Sequence, residues 1–284
     1  MNPIDLIPPH ALPAPITPAE RMPWPVHSPF RMRPGLSHLA QAEAPRLFLR
    51  DDLAPAYQVA KARVLQEARD EALVGQTDAA ILQAIADAYG AETGLSIAPT
   101  LDALSLNLQE DFVVLRDRGQ MVTECLSVCF PSNWRPQEKH GQDFATIHAP
   151  VADNALLLAG AAGLMDLAFR RHRMQRHVWL LTPTPALSLP PHAQRSRWDA
   201  LADASGSALL EGTWWRIERQ TTLPLPALQA GVFFIRVMVC PLTQVLAVAS
   251  ERAAELRAVL ASMSEAVVAY RGMSAVRDRL VAAL

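Results

Sequence analysis

FVVLRDRGQMVTECLSVCF, residues 112–130, is the stretch that decides the fold. Apolar side chains alternate on both sides of Asp117-Arg118-Gly119, where the chemistry is that of a turn. Alternation marks strands that bury one face, and a Gly-containing break between two such runs marks a hairpin. The pattern predicts a strand over 112–115 and a return strand over 121–130. On the return strand Val122, Leu126, Val128 and Phe130 are expected on one face, with Cys125, Ser127 and Cys129 on the other.

Moving outward, 175–181, 214–222 and 232–239 read as three further strands, the last two joined by the loop TLPLPALQAG. Helical spacing marks 51–73 through Leu53, Tyr57, Val64, Leu65 and Ala68. A second helix is expected from a Thr77 cap to Gly90, and a short third from a Thr100 cap through Leu108. Three more are expected over 153–171, 250–262 and 264–284. Five mainly antiparallel strands with helices outside predict an α+β fold.

The bulk composition of the 284 residues is that of a globular protein, with half of them hydrophobic and 19% charged. A net charge of −2 supplies no basic excess and argues against a nucleic-acid partner. Eleven of the 23 prolines fall in the first 45 residues. Proline fixes φ and removes a donor, so 1–45 is expected to be an extended arm, with Trp24, Phe30 and Met32 as apolar anchors. Residues 46–284 then form a single domain. No basic segment followed by an apolar one opens the chain, and no apolar run approaches the roughly 20 residues that span a bilayer. The three cysteines make neither a disulfide framework nor a zinc site. Cytoplasmic residence is the expectation.

Three ordered segments carry a family likeness. The first is FPSNW at 130–134, followed by Lys139, Gly141 and IHAPV at 147–151; the second is QRHVW at 175–179. The third is RIERQT at 216–221, continuing to FIR at 234–236. Glu110-Asp111 and Tyr270-Arg271-Gly272 add to them. With these segments in this order, the chain resembles the haem-dependent oxidative N-demethylase family over roughly residues 28–284. Val178 stands where that family usually has Asn, and Thr222 where it usually has a basic residue. The resemblance implies a PAS-like fold and a b-type haem. It implies removal of a methyl group from a small secondary amine, with dioxygen and electrons from a separate reductase. The matched segments make Trp134, Lys139 and His148 candidates beside the haem, and Glu218 and Arg219 candidates in catalysis.

The residues carry chemistry of their own. Neutral imidazole is the commonest haem ligand. His148 stands between a polar loop and Pro150, a position that can aim a ring, although it can also serve only to hydrogen-bond the loop. His140 is the nearest competitor, and a thiolate from Cys125 or Cys129 is the other ligand type. Glu218 and Arg219 sit mid-strand on opposite faces, where charges must be paired or face a cavity. Arg236, among Val232, Phe234 and Met238, needs a carboxylate: a haem propionate or Glu218. A dialkylammonium ion needs a carboxylate or an aromatic face, and Glu218, Trp215 and Trp179 offer both. Arg170, Arg171, Arg173 and Arg176 form either a solvated face or a docking patch for an acidic redox partner.

The chain has no GxGxxG loop and no cysteine cluster, so electrons are expected from an external flavin or iron–sulfur protein. The leading expectation is a haem monooxygenase that demethylates a small amine and releases formaldehyde. A non-catalytic haem-binding PAS-like sensor fits the same residues. So does a haem-free relative whose pocket is filled by side chains.

Overall fold

The computed structural model describes residues 15–191 and 198–284, so the first 14 residues of the expected arm lie outside it. Its centre is one antiparallel sheet of seven strands in the order β1-β5-β6-β7-β3-β4-β2. The strands are β1 Ser37–His38, β2 Leu73–Gly75, β3 Asp111–Asp117, β4 Met121–Ser127, β5 Met174–Thr182, β6 Trp214–Leu225 and β7 Ala230–Pro241. The α+β expectation stands, but the count of five strands does not. β1 and β2 complete the two edges with two and three residues, too few for alternation to register in the sequence.

The β6–β7 hairpin runs through the stretch expected to be loop, pairing Pro224 with Gly231 and Leu225 with Ala230. Pro224 is tolerated because β5 pairs with β6 only as far as Thr221, so no ladder bond is missing there. In the β3–β4 hairpin the register shifts between Val114 and Leu115, so that Val114 opposes Cys125 while Leu115 opposes Thr123. This bulge at Glu124 turns the strand over. Thr123 and Leu126 therefore line the same cavity, and Val122 does not join Leu126 as alternation predicted.

Helices α1 Ala54–Ala72 and α3 Leu101–Asn107 follow the predicted spans closely, whereas α2 Ala79–Thr93 runs through Gly90, its expected end, and stops at Gly94, whose φ is +73°. Thr100 caps α3 by accepting from the Ala103 N–H at 3.3 Å. Thr77 caps nothing; its hydroxyl donates to Glu124 at 3.0 Å. The helix expected over 153–171 is broken at Gly160 into α6 Ala155–Ala159 and α7 Ala161–Asp166, continuing as a π-turn over Leu167–Arg171. Before it come α4 Pro136–Lys139 and α5 Phe144–His148. The last predicted helix is also broken, at Gly272 with φ +66°.

The two faces of the sheet differ. The back face carries Phe112, Val114 and Phe234 against Ile81, Ile85 and Tyr89 of α2. Residues 46–51 cross it as an extended strap. Glu92 accepts from the backbone N–H of Leu47 and Phe48, Glu110 from Leu49, and the Gln109 side chain from Asp51, all at 3.0–3.1 Å. The front face, with Val113, Leu115, Val178 and Phe233, is roofed by the short helices of 136–171.

Candidate functional site

Between the front face and that roof lies a cavity of about 510 Å³, within the 300–1,000 Å³ usual for ligand pockets. Side chains therefore do not fill it. Val113, Leu115, Leu126, Val178 and Phe233 make an apolar floor. Phe144, Leu164, Met165 and Phe169 face them from the roof, and Met32 and Leu36 of the arm close one side.

His148 lines this cavity as the last residue of α5. Asp143 starts that helix by accepting from the Thr146 N–H at 2.7 Å. The helix carries His148 back over its own first residue: the ring stacks on Phe144 with centroids 3.9 Å apart, and Nδ1 lies 2.8 Å from the Phe144 carbonyl. A carbonyl only accepts, so Nδ1 holds the proton and Nε2 carries the lone pair. Burial pushes the His148 pKa below its ordinary value, and the nearby cations Arg176 and Lys139 act in the same direction. The result is a neutral imidazole oriented by a backbone carbonyl, with Nε2 free of hydrogen bonds among the described residues. The hydrogen bond expected of His148 is made at Nδ1, to the carbonyl of Phe144. His140 does not line the cavity; its Nε2 lies 3.1 Å from the Glu124 carbonyl.

Trp134 and Lys139 also reach the cavity. The Lys139 ammonium donates only to the Ile147 carbonyl, at 3.4 Å. Glu218 lines the cavity from mid-strand and is buried, with 8% of its surface exposed. The Gln220 amide, two residues along the same face, donates to Glu218 Oε2 at 2.7 Å. Among the described residues Glu218 has no ion pair within 4 Å.

Four expected site residues are elsewhere, because odd and even positions of a strand face opposite ways. Arg219 points to the back face and donates to the carbonyls of Leu47 and Arg46 in the strap. Arg236, paired opposite it, donates to the Leu49 carbonyl at 3.1 Å and to Asp51 at 3.0 Å, over the Tyr57 ring at 4.1 Å. The carboxylate that Arg236 needs is therefore Asp51 rather than a propionate or Glu218. Trp215 stacks between Trp24 and Trp179 at centroid distances of 4.8 and 5.1 Å, in the core behind the sheet. Neither Trp215 nor Trp179 lines the cavity.

The cysteine alternative fails on placement as well. Cys125 packs in the back-face core and Cys129 against Tyr57, and burial pushes both thiols up to about 12. The basic run is largely neutralised within the protein: Arg170 pairs with Asp117 at 2.6 Å, and Arg171 with Asp166 at 2.6 Å.

Arg176 departs from that run. It lines the cavity beside Val178 and Leu180, and among the described residues it makes neither a hydrogen bond nor an ion pair. Its burial pushes its pKa down while the field of Glu218 opposes the shift. The alternation Arg176, Val178, Leu180 was the signal for this placement, masked by the neighbouring arginines. Tyr270 and Arg271 complete that end of the cavity.

A sequence model of the family described as haem-dependent oxidative N-demethylase, alpha subunit-like, matches residues 66–281. No curated protein matches the chain. Among the described residues, no helix is long and apolar enough to cross a membrane.

Proposed function

Because the chain belongs to the haem-dependent oxidative N-demethylase, alpha subunit-like, family, we propose that it binds haem b in this cavity and demethylates a small methylated amine. The observation that carries the proposal is the half-buried neutral His148, whose Nδ1 is held by the Phe144 carbonyl and whose Nε2 lone pair is left for iron. Trp134 offers an apolar face to the macrocycle, and the unpaired cations Arg176 and Lys139 suit its propionates. The sheet with its helical cover is consistent with a PAS-like domain.

When bound, haem would activate dioxygen with two electrons and two protons, placing one oxygen atom on the N-methyl carbon, which leaves as formaldehyde, and the other in water. The protein's own part is binding and positioning. Glu218 attracts the ammonium form of the amine, and Gln220 holds one carboxylate oxygen so that the other faces the ligand. The apolar floor excludes water around the methyl group. Arg219, Trp179 and Trp215 act from behind the sheet by fixing the strands that carry Glu218 and Arg176. A separate flavin or iron–sulfur protein supplies the electrons, in the cytoplasm.

Val178, paired directly opposite Glu218 where the family usually has Asn, favours one second reading: a haem-binding sensor without turnover. Haem-loaded protein given dimethylamine, dioxygen and a chemical reductant separates the two. Formaldehyde in proportion to dioxygen consumed supports demethylation. A spectral shift with no formaldehyde supports the sensor. Glu218→Gln should weaken amine binding by about ten- to a hundredfold, the worth of a charge-assisted hydrogen bond.

A further inference from the structure

The cavity holds more positive charge than a haem and a simple amine can use. Arg33, Lys139, Arg176 and Arg271 all line it, and among the described residues none has a carboxylate within 4 Å. Elsewhere the fold pairs Lys61 with Asp111 at 2.9 Å and Arg236 with Asp51 at 3.0 Å, and it surrounds the buried Arg216 and Arg219 guanidinium groups with several carbonyl or hydroxyl oxygens. Arg33 is exposed, so its charge is open to solvent screening. Arg176 and Lys139 are the two whose fields reach His148, and the two propionates of a haem ligated there would match them. Arg271 is left over.

Arg271 is buried, with 8% of its surface exposed. It closes the edge of β5 beyond the point where β1 stops pairing, donating Nη1 to the Trp179 carbonyl at 2.9 Å. Its guanidinium lies between the Phe30 and Trp179 rings, 4.7 Å from each centroid. The aromatic faces offset part of its desolvation. Its Nε still has no partner, and no anion of the protein meets it. Trp179, whose carbonyl Arg271 meets, follows Val178, which pairs directly opposite Glu218, so Arg271 and Glu218 line the cavity across the same stretch of β5. The cavity therefore presents there a buried carboxylate and a buried guanidinium, neither of them in an ion pair among the described residues.

We infer that the substrate is a zwitterion: an N-methylated amino acid whose ammonium meets Glu218 and whose carboxylate meets Arg271. The inference rests on the haem reading above and narrows its substrate class. The oxidation balances as before, with the N-methyl carbon leaving as formaldehyde and the unmethylated amino acid as the other product.

Calorimetric titration of haem-loaded protein with N-methylglycine, its methyl ester and dimethylamine tests the inference without turnover. N-methylglycine should bind at least about tenfold tighter than the ester, because a charge-assisted contact is present for only one of them. Arg271→Gln should bring that ratio close to one, and Arg271→Lys should keep part of it. An ester that binds as tightly as the acid, or a preference that survives in Arg271→Gln, would overturn the zwitterion and leave the haem reading standing. If Arg271→Gln does not fold, the acid-to-ester ratio of the unaltered protein and of Arg271→Lys decides alone. Protein without a Soret band overturns both readings before any amine is added.

Discussion

Two arginines, six decades of chain apart, show what a single residue can and cannot disclose. Arg236 sits among apolar neighbours and was bound to have a carboxylate, yet that partner, Asp51, comes from a strap that no local pattern places across the sheet. Arg176 reads as part of a charged run, and only the strand register turns it into the cavity. The two therefore predict opposite phenotypes. Arg236→Ala should lower unfolding stability by about 3 kcal/mol, since it strands one member of a largely buried pair, and leave haem affinity unchanged. Arg176→Ala should lower haem affinity by about tenfold or more, with no loss of stability in the haem-free protein. Haemin titration and thermal melts of both variants check this. His148 was more legible, because the polar loop before it and Pro150 after it already implied a fixed backbone.

His177 adds a pH effect at the same scale. It lies on the back of β5 opposite Arg219, and burial together with that cation pushes its pKa from 6.5 to about 4. As pH falls through 6.5 the unfolded chain takes up the proton first, so stability declines between pH 6.5 and about 4 and is fully present above that window. His177→Gln should make the fall in melting temperature between pH 6.5 and 5 shallower. An unchanged slope would remove His177 from the explanation.

Among the elements, long strands and capped helices were readable, and features of one or two residues were not. Alternation located both hairpins but missed the bulge at Glu124, because the inserted residue keeps the local composition of a strand. Gly75 of β2 is what lets that bulge pack. Its φ is +78°, and a Cβ there would lie 2.2 Å from the Glu124 carbonyl oxygen, a backbone atom with little freedom to move. Gly75→Ala should destabilise the protein by about 1–3 kcal/mol and loosen haem by shifting Thr123 and Leu126. Gly231 plays a similar part on β7. A Cβ there would come within 2.8 Å of the Phe169 Cβ, so its absence lets the π-turn lie close over the sheet and form the roof. Gly231→Ala should change the haem spectrum through Phe169, while Gly94→Ala, at an αL position with nothing within 4 Å, should cost only backbone strain. Spectra and melts of the three variants compared together test these assignments.

At the scale of the whole molecule, the chain before α1 encloses the sheet on both sides. Trp24 packs behind it on Trp215, Phe30 on Trp179 and Arg271, and Met32 closes the cavity in front, before the strap of 46–51 crosses the back. Proline content announced the extended segment before residue 46, but the strap that follows it is held by Arg219 and Arg236, 172 and 187 positions beyond their partners Leu47 and Leu49. The cavity exists only through this enclosure, which is why its lining could be nominated from motifs and not assembled from them. One absorbance measurement tests the central claim most directly. Protein produced with ample haem should show a Soret band at one haem per chain. His148→Ala should abolish the native ferric spectrum, added imidazole should partly restore it, and His140→Ala should leave it unchanged. Protein that fails to take up haemin, or a His148→Ala variant that keeps the native Soret position and stoichiometry, would contradict haem ligation by His148 in this cavity.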